Sequence, residues 1–290
     1  MTISIRRPEL SAKSFIHRYN SCQASLRERL EQLILQPGSD EIHDVRIAIR
    51  RFRIVSELLP KSVRRGGEAR EYILACRKLF RATARIRDLD IISERLTEYA
   101  DRDALTELSR LAGKQRLAGM PQVRACGLSL RHTEIPGISP RQINGIKLNR
   151  RIGAVLERTT SACDDELWTA AGDANNIEAL HSLRKSVRRL RYTLELLPEN
   201  TELAEALKKL AEWQRVLGSI RDIDITLDYL KTERPVHSLD GIREKALRDR
   251  GLKYTAFLKM PGEYNAIDGV RSLWIVRRRK VPVNDRVPPS

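Results

Sequence analysis

Two stretches of this chain repeat each other. HDVRIAIRRFRIVSELLP, His43 to Pro60, returns as HSLRKSVRRLRYTLELLP, His181 to Pro198, with nine of eighteen positions identical. The matches include His43/His181, Arg46/Arg184, Arg50/Arg188, Arg51/Arg189, Arg53/Arg191 and Glu57/Glu195. A shorter repeat follows each block, IRDLDI from Ile86 and IRDIDI from Ile220. The chain therefore reads as two homologous halves, and whatever one half folds into the other is expected to fold into as well.

At 100° per residue the first block separates into two faces. Val45, Ala48, Ile49, Phe52, Val55 and Leu59 gather on one side, and His43, Arg46, Arg50, Arg53 and Glu57 on the other. In the second block Leu183, Val187, Leu190, Leu194 and Leu197 oppose His181, Arg184, Arg188, Arg191 and Glu195. Each block is an amphipathic helix whose wet face is cationic. Arginines three and four apart repel, so an anion is expected on these faces; the alternative is a solvated basic face neutralised by acids from other helices. The balance of 54 Lys+Arg against 38 Asp+Glu, a formal charge of +16, favours a polyanionic partner. The preference for arginine suits phosphate, because a guanidinium is always charged and offers a planar fork to two oxygens.

Helical periodicity runs from about Leu10 to Leu258, and 41% hydrophobic residues with only 5% aromatics point to aliphatic helix packing. The expected class is all-α, at a length sufficient for one large or two moderate cores. Four helices are predicted per half: Leu10–Leu35, Ile42–Leu59, Glu68–Ala84 and Asp88–Leu117, then Arg141–Thr169, Ile177–Leu197, Glu202–Leu217 and Asp222–Leu258. The first repeat occupies 8–118 and the second 141–260. Gly119 to Pro140 reads as the linker, and Gly218 as a helix C-terminal glycine. Residues 261–290 form a basic tail; within it Ser272–Lys280 (SLWIVRRRK) reads as either an extended strap or a mobile segment.

The paired RDxD elements at Arg87–Asp90 and Arg221–Asp224 have a metal reading, but residues i and i+2 on a helix point about 200° apart. Asp88 and Asp222 are expected as N-caps, with Asp90 and Asp224 in the first turn or paired with a nearby arginine. Cys22, Cys76, Cys126 and Cys163 are widely spaced and read as small buried residues rather than disulfides or zinc ligands. Of five histidines, His43 and His181 stand apart because each begins an arginine stripe; chelation of a metal by the pair lacks an accompanying carboxylate or cysteine. No apolar signal core or membrane-length run is evident, so the expected location is the cytoplasm.

These residues carry a resemblance. H-x-L-R-K-x-x-R-R-L-R-Y at His181 to Tyr192, its partner H-x-V-R-x-x-x-R-R-x-R at His43 to Arg53, and the two RDxD elements resemble the CHAD domain, the conserved histidine α-helical domain, over about residues 8–260. The resemblance implies two four-helix bundles related by a pseudo-two-fold axis around a central basic channel, and inorganic polyphosphate as ligand, with polyphosphate granules as a place of association. It further implies ligand-binding roles for His43, Arg46, Arg50, Arg53, His181, Arg184, Arg188 and Arg191. Arg51, Lys185 and Arg189 flank the stripe and rank second. Lys13, His17, Lys147 and Arg151, on the first and fifth predicted helices, are looser candidates. Ile47 stands where the second copy has Lys185, a weaker grip at that turn.

Neither a cofactor nor a resident metal is expected. Three functions compete: a non-catalytic polyphosphate-binding module, a nucleic-acid binder using phosphate contacts, and a phosphohydrolase or triphosphatase. The second lacks stacking aromatics on the basic faces, where only Tyr192 lies near. The third lacks a carboxylate cluster or activated nucleophile in the stripes.

Overall fold

The structure, a computed structural model, describes residues 9–232, 239–263, 267–268 and 270–271. These residues are helical, with no strand among them: α1 (Ala12–Leu35), α2 (Ser39–Glu57), the single turn α3 (Lys61–Arg64), α4 (Gly67–Tyr99), α5 (Arg102–Arg131), α6 (Gly145–Gly172), α7 (Ile177–Leu194), α8 (Thr201–Thr232) and α9 (Asp240–Glu263). A 3-10 turn at Pro140–Gln142 precedes α6. Among the described residues no helix is long and apolar enough to cross a membrane. The Ser272–Lys280 segment lies outside the described residues.

The described residues pack as two compact units, each discontinuous in sequence: one drawn from 11–148 and 222–251, the other from 9–10, 149–221 and 252–271. In the first, α1 packs on α2, α2 on α4, α4 on α5 and α5 back on α1, a closed four-helix arrangement. The predicted apolar face of α2 is its buried face: Val45, Ile49, Phe52 and Val55 are fully inaccessible. Phe52 is held between Tyr19 and Tyr72, with ring centroids at 5.7 and 5.2 Å. In the other unit Leu183, Val187, Leu190 and Leu194 of α7 are likewise buried, with Trp213 of α8 among the largest enclosed side chains. There the Tyr254 hydroxyl donates to the Ala170 carbonyl at 2.9 Å, tying α9 to the end of α6.

The helix boundaries correct four expectations. No break falls at 85–87 or 218–221: α4 and α8 run straight through the RDxD elements, so Asp88 and Asp222 are mid-helix residues and not N-caps. The physical reason is an unbroken apolar stripe, Ile86, Leu89, Ile92 and Leu96 in α4, all buried. The true start of the following helix is marked by Asp101, whose side chain accepts from the Ala104 amide at 2.9 Å. Gly218 sits inside α8 rather than ending a helix. Residues 119–131, read as linker, are the last turns of α5, with Pro121 inside it. The glycines there serve close packing: a Cβ on Gly119 would lie 2.5 Å from Ile86 Cδ1, so glycine lets α5 approach α4.

Within the first unit, the ends of α4 and α5 share one core with residues from α8 and α9: Leu89, Ile92, Leu96, Leu108 and Ala112 with Ile223, Tyr229, Leu230, Ile242 and Ala246. The second aspartate of each RDxD element crosses to the next helix. Asp90 Oδ1 accepts from Arg116 Nε at 2.7 Å, and Asp224 Oδ1 from Arg250 Nε at 2.6 Å. Both arginines stand 26 residues beyond their aspartates, so the pairing expected for Asp90 and Asp224 is made at equivalent places in both repeats.

Asp224 and Arg250 are 3% and 10% exposed in their side chains, whereas Arg116 is 24% exposed. Removing one partner of a buried pair leaves an uncompensated charge, a loss of about 3–5 kcal/mol. Asp224→Ala should fall in that range in urea unfolding, and Asp90→Ala should cost less. A loss in Asp224→Ala no larger than that of an ordinary surface substitution would show that the pair does not hold these helices.

Candidate functional site

The first stripe is set by α2 lying on α4. Gly38 starts α2, and Ile42, Val45, Ile49 and Phe52 bury its inner side, which leaves His43, Arg46, Arg50 and Arg53 along one edge beside α4. Arg46 is the deepest of these, 9% exposed. Its Nη1 donates to the Phe80 carbonyl at 2.7 Å and to Thr83 Oγ1 at 2.9 Å. Burial, and after it the charge of Arg50, lowers its pKa to about 10, which still leaves it charged at neutral pH.

Phe80 organises the rest of this stripe. The guanidinium carbons of Arg46, Arg50 and Arg53 lie 4.1, 5.5 and 5.9 Å from its ring centroid. The expectation that only Tyr192 accompanies the basic faces is therefore corrected. Phe80 is half-buried and packs against guanidinium groups, an arrangement in which the ring quadrupole offsets part of their mutual repulsion.

In the second stripe, on α7, Gln214 of α8 occupies the place corresponding to Phe80. Its Oε1 accepts from Arg191 Nη1 at 3.2 Å, while Arg191 Nε donates to Glu195 Oε1 at 3.0 Å. Tyr192 is buried, with Arg191 5.8 Å from its ring centroid. Arg184 lies against α8 near Gly218, where a Cβ would stand 3.8 Å from its Nε. Arg188 is half-buried on the same face.

Two further arginines, Arg87 and Arg221, join the sites without having been expected there. Both belong to the RDxD elements, whose aspartates suggest caps and ion pairs, and both place a charge beside the stripe histidine of their own half. His181 is driven down to about 4, first by desolvation and then by the charges of Arg221, Lys185 and Arg184. His43 is also lowered, by desolvation and then Arg87 and Arg50, against weaker opposition from Asp44 and Asp40. Because the His43 side chain is exposed, the two arginine charges are the firmer cause. Arg87 Nη1 donates to Ser39 Oγ at 3.2 Å, which anchors it at the start of α2. Recurrence of Ile-Arg-Asp in both halves is the sequence signal for these arginines.

The remaining candidates are more scattered. Arg51 and Lys185 are exposed and Arg189 is half-buried; Lys185 Nζ stands 3.9 Å from Glu178 Oε1. Lys13 and His17 are exposed on α1, two residues either side of buried Phe15 and so about 200° from it. Lys147 is exposed at the start of α6, and Arg151 is half-buried one turn on. None of the four cysteines is in a disulfide; Cys76 and Cys163 are buried as expected, but Cys22 and Cys126 are only half-buried. Among the described residues, no three His, Cys, Asp or Glu side chains stand together as a metal-binding set.

A histidine held low in the folded state is protonated more readily in the unfolded chain, whose imidazole pKa is ~6.5. Between that value and about 4, where folded His181 takes up its proton, the unfolded state binds more protons, so stability falls as pH falls. His181→Gln should flatten part of this decline in thermal melts. Arg221→Gln should raise the His181 pKa in an NMR titration. An unmoved titration in Arg221→Gln would show that the arginine does not act on the ring.

Comparison with known proteins agrees with the helical fold. The family model described as CHAD domain matches residues 19–231. Among solved structures, the crystal structure of the CHAD domain from the plant Ricinus communis is similar with a TM-score of 0.60 and 18% identity, over 95% of this chain and 96% of that one. A search of curated proteins found no match. Matched by the family model over most of its length, this all-helical chain belongs to the CHAD domain family.

Proposed function

We propose that the two stripes bind inorganic polyphosphate without catalysing its cleavage. The observation that carries this reading is the same assembly made twice: a histidine, a ladder of arginines at helical spacing, and a further arginine from the RDxD element whose charge presses on the histidine. Clustered cations that, with burial, disfavour a protonated imidazole form a site whose electrostatic energy falls when an anion arrives. His43 and His181 can then become protonated donors to phosphate oxygens. Arg46, committed by Nη1 to α4, serves as a fixed charge beneath the ligand, and Arg50, Arg53, Arg87 and their counterparts Arg188, Arg191 and Arg221 supply the outer contacts. The non-catalytic reading rests on the carboxylates: Asp90 and Asp224 are occupied with Arg116 and Arg250.

Polyphosphate carries its charges without intervening sugars and asks for no stacking surface, which matches stripes whose one added aromatic is packed against guanidinium groups. Nucleic acid is the competing ligand, through phosphate contacts alone. In competition at matched physiological ionic strength, long-chain polyphosphate should displace RNA and DNA, and rising salt should weaken its binding steeply. RNA binding as tight as polyphosphate would contradict the reading. Arg50→Ala with Arg188→Ala should weaken polyphosphate binding by roughly 1.5–3 kcal/mol for each guanidinium taken away, with helical circular dichroism and melting temperature nearly unchanged. Unaltered affinity in that double variant would remove the stripes from the site.

A further inference from the structure

A second cationic surface lies on α4 away from the first stripe. Around that helix Arg46 and Arg50 meet Phe80 and Thr83, whereas Lys78, Arg81 and Arg85, at i, i+3 and i+7, project on a different side. Between that row and α5 runs a groove of about 650 Å³, within the size range of ligand sites. Lys78 and Arg81 line one wall, and Gln122, Cys126 and Ser129 the other. Ala82 and Ala125 contribute small side chains that keep it open. Among the described residues no carboxylate lines it. One turn further along, Arg85 Nη2 donates to the neutral amide oxygen Gln115 Oε1 at 2.7 Å.

We propose that this groove is a second anion site, taking a short inorganic phosphate chain. Lys78 and Arg81 would supply the charge, and the Gln122 amide and Ser129 hydroxyl the neutral donors. Gln122 Nε2 now contacts Cys126 Sγ at 3.5 Å, a weak interaction that a phosphate oxygen replaces at little cost. The site stands on its own residues and does not require the stripes to bind polyphosphate.

Cys126 supplies the reporter. It is half-buried, while the buried Cys76 and Cys163 thiols are both pushed up to about 12 by desolvation, which makes them poor nucleophiles. Iodoacetamide labelling of the full chain, resolved by peptide mass spectrometry, then reads occupancy of the groove, with Cys22 as internal control. Tripolyphosphate at about ten times its Kd should slow Cys126 labelling about tenfold by mass action, with sulfate at equal ionic strength giving little protection. Lys78→Gln with Arg81→Gln should abolish the protection, and Arg50→Ala with Arg188→Ala should keep it. Absence of protection in the parent, equal protection by sulfate, or protection undiminished in the Lys78/Arg81 variant would overturn the proposal. Protection lost only in the Arg50/Arg188 variant would also overturn it. Long-chain affinity unaltered in the Arg50/Arg188 variant, with Cys126 protection intact, would instead count against the stripes alone.

Discussion

Like charges repeated at one-turn spacing along a helix repel one another, and the fold has to hold them there in the absence of ligand. Neutral and backbone groups take part in holding them. Arg46 is held by a helix carbonyl and a threonine hydroxyl, and its neighbours pack around the Phe80 ring. In the second stripe Gln214 and Glu195 hold Arg191. Acids in place of the carbonyl, hydroxyl, amide and ring would cancel the field there; these four offset it in part and leave the net charge available.

The RDxD element joins this demand to the stability of the bundle. Its arginine presses on the stripe histidine, and its second aspartate, less than a helical turn further on, reaches back to the following helix. The aspartate is buried and paired, so α4 and α8 are fixed against α5 and α9 at the place where the arginine must stand. Positioning of the cation and anchoring of the helix are thus two ends of one short segment, which accounts for its recurrence beside each stripe.

The amphipathic faces were legible because a helix that buries one side must show it at a 3.6-residue period. Every apolar position assigned to the two amphipathic blocks is buried, and of the two placements expected for Asp90 and Asp224, first turn or pairing with an arginine, the pairing is the one made. Helix ends were less legible. Asp-rich and glycine-containing segments imitate caps, yet Asp90 is neutralised by Arg116, and Gly119 is needed where α5 crosses Ile86. Such uses depend on partners far away in sequence, which local patterns do not encode. Phe80 was illegible for the same reason: its importance comes from α2 lying on α4, and Gln214 in its place in the other half hides it from the repeat.

The central claim is that an anion completes a site where burial and clustered cations lower the pKa of two histidines. Protonation of His43 and His181, followed by NMR at pH about 5.5 while long-chain polyphosphate is added, tests it most directly, with the two resonances assigned through single glutamine variants. At that pH free His181 is neutral, since its pKa lies at about 4. The account predicts that polyphosphate protonates His181 and moves His43 toward its protonated form by raising both pKa values. Saturating polyphosphate that leaves His181 neutral and the protonation of His43 unmoved would contradict it.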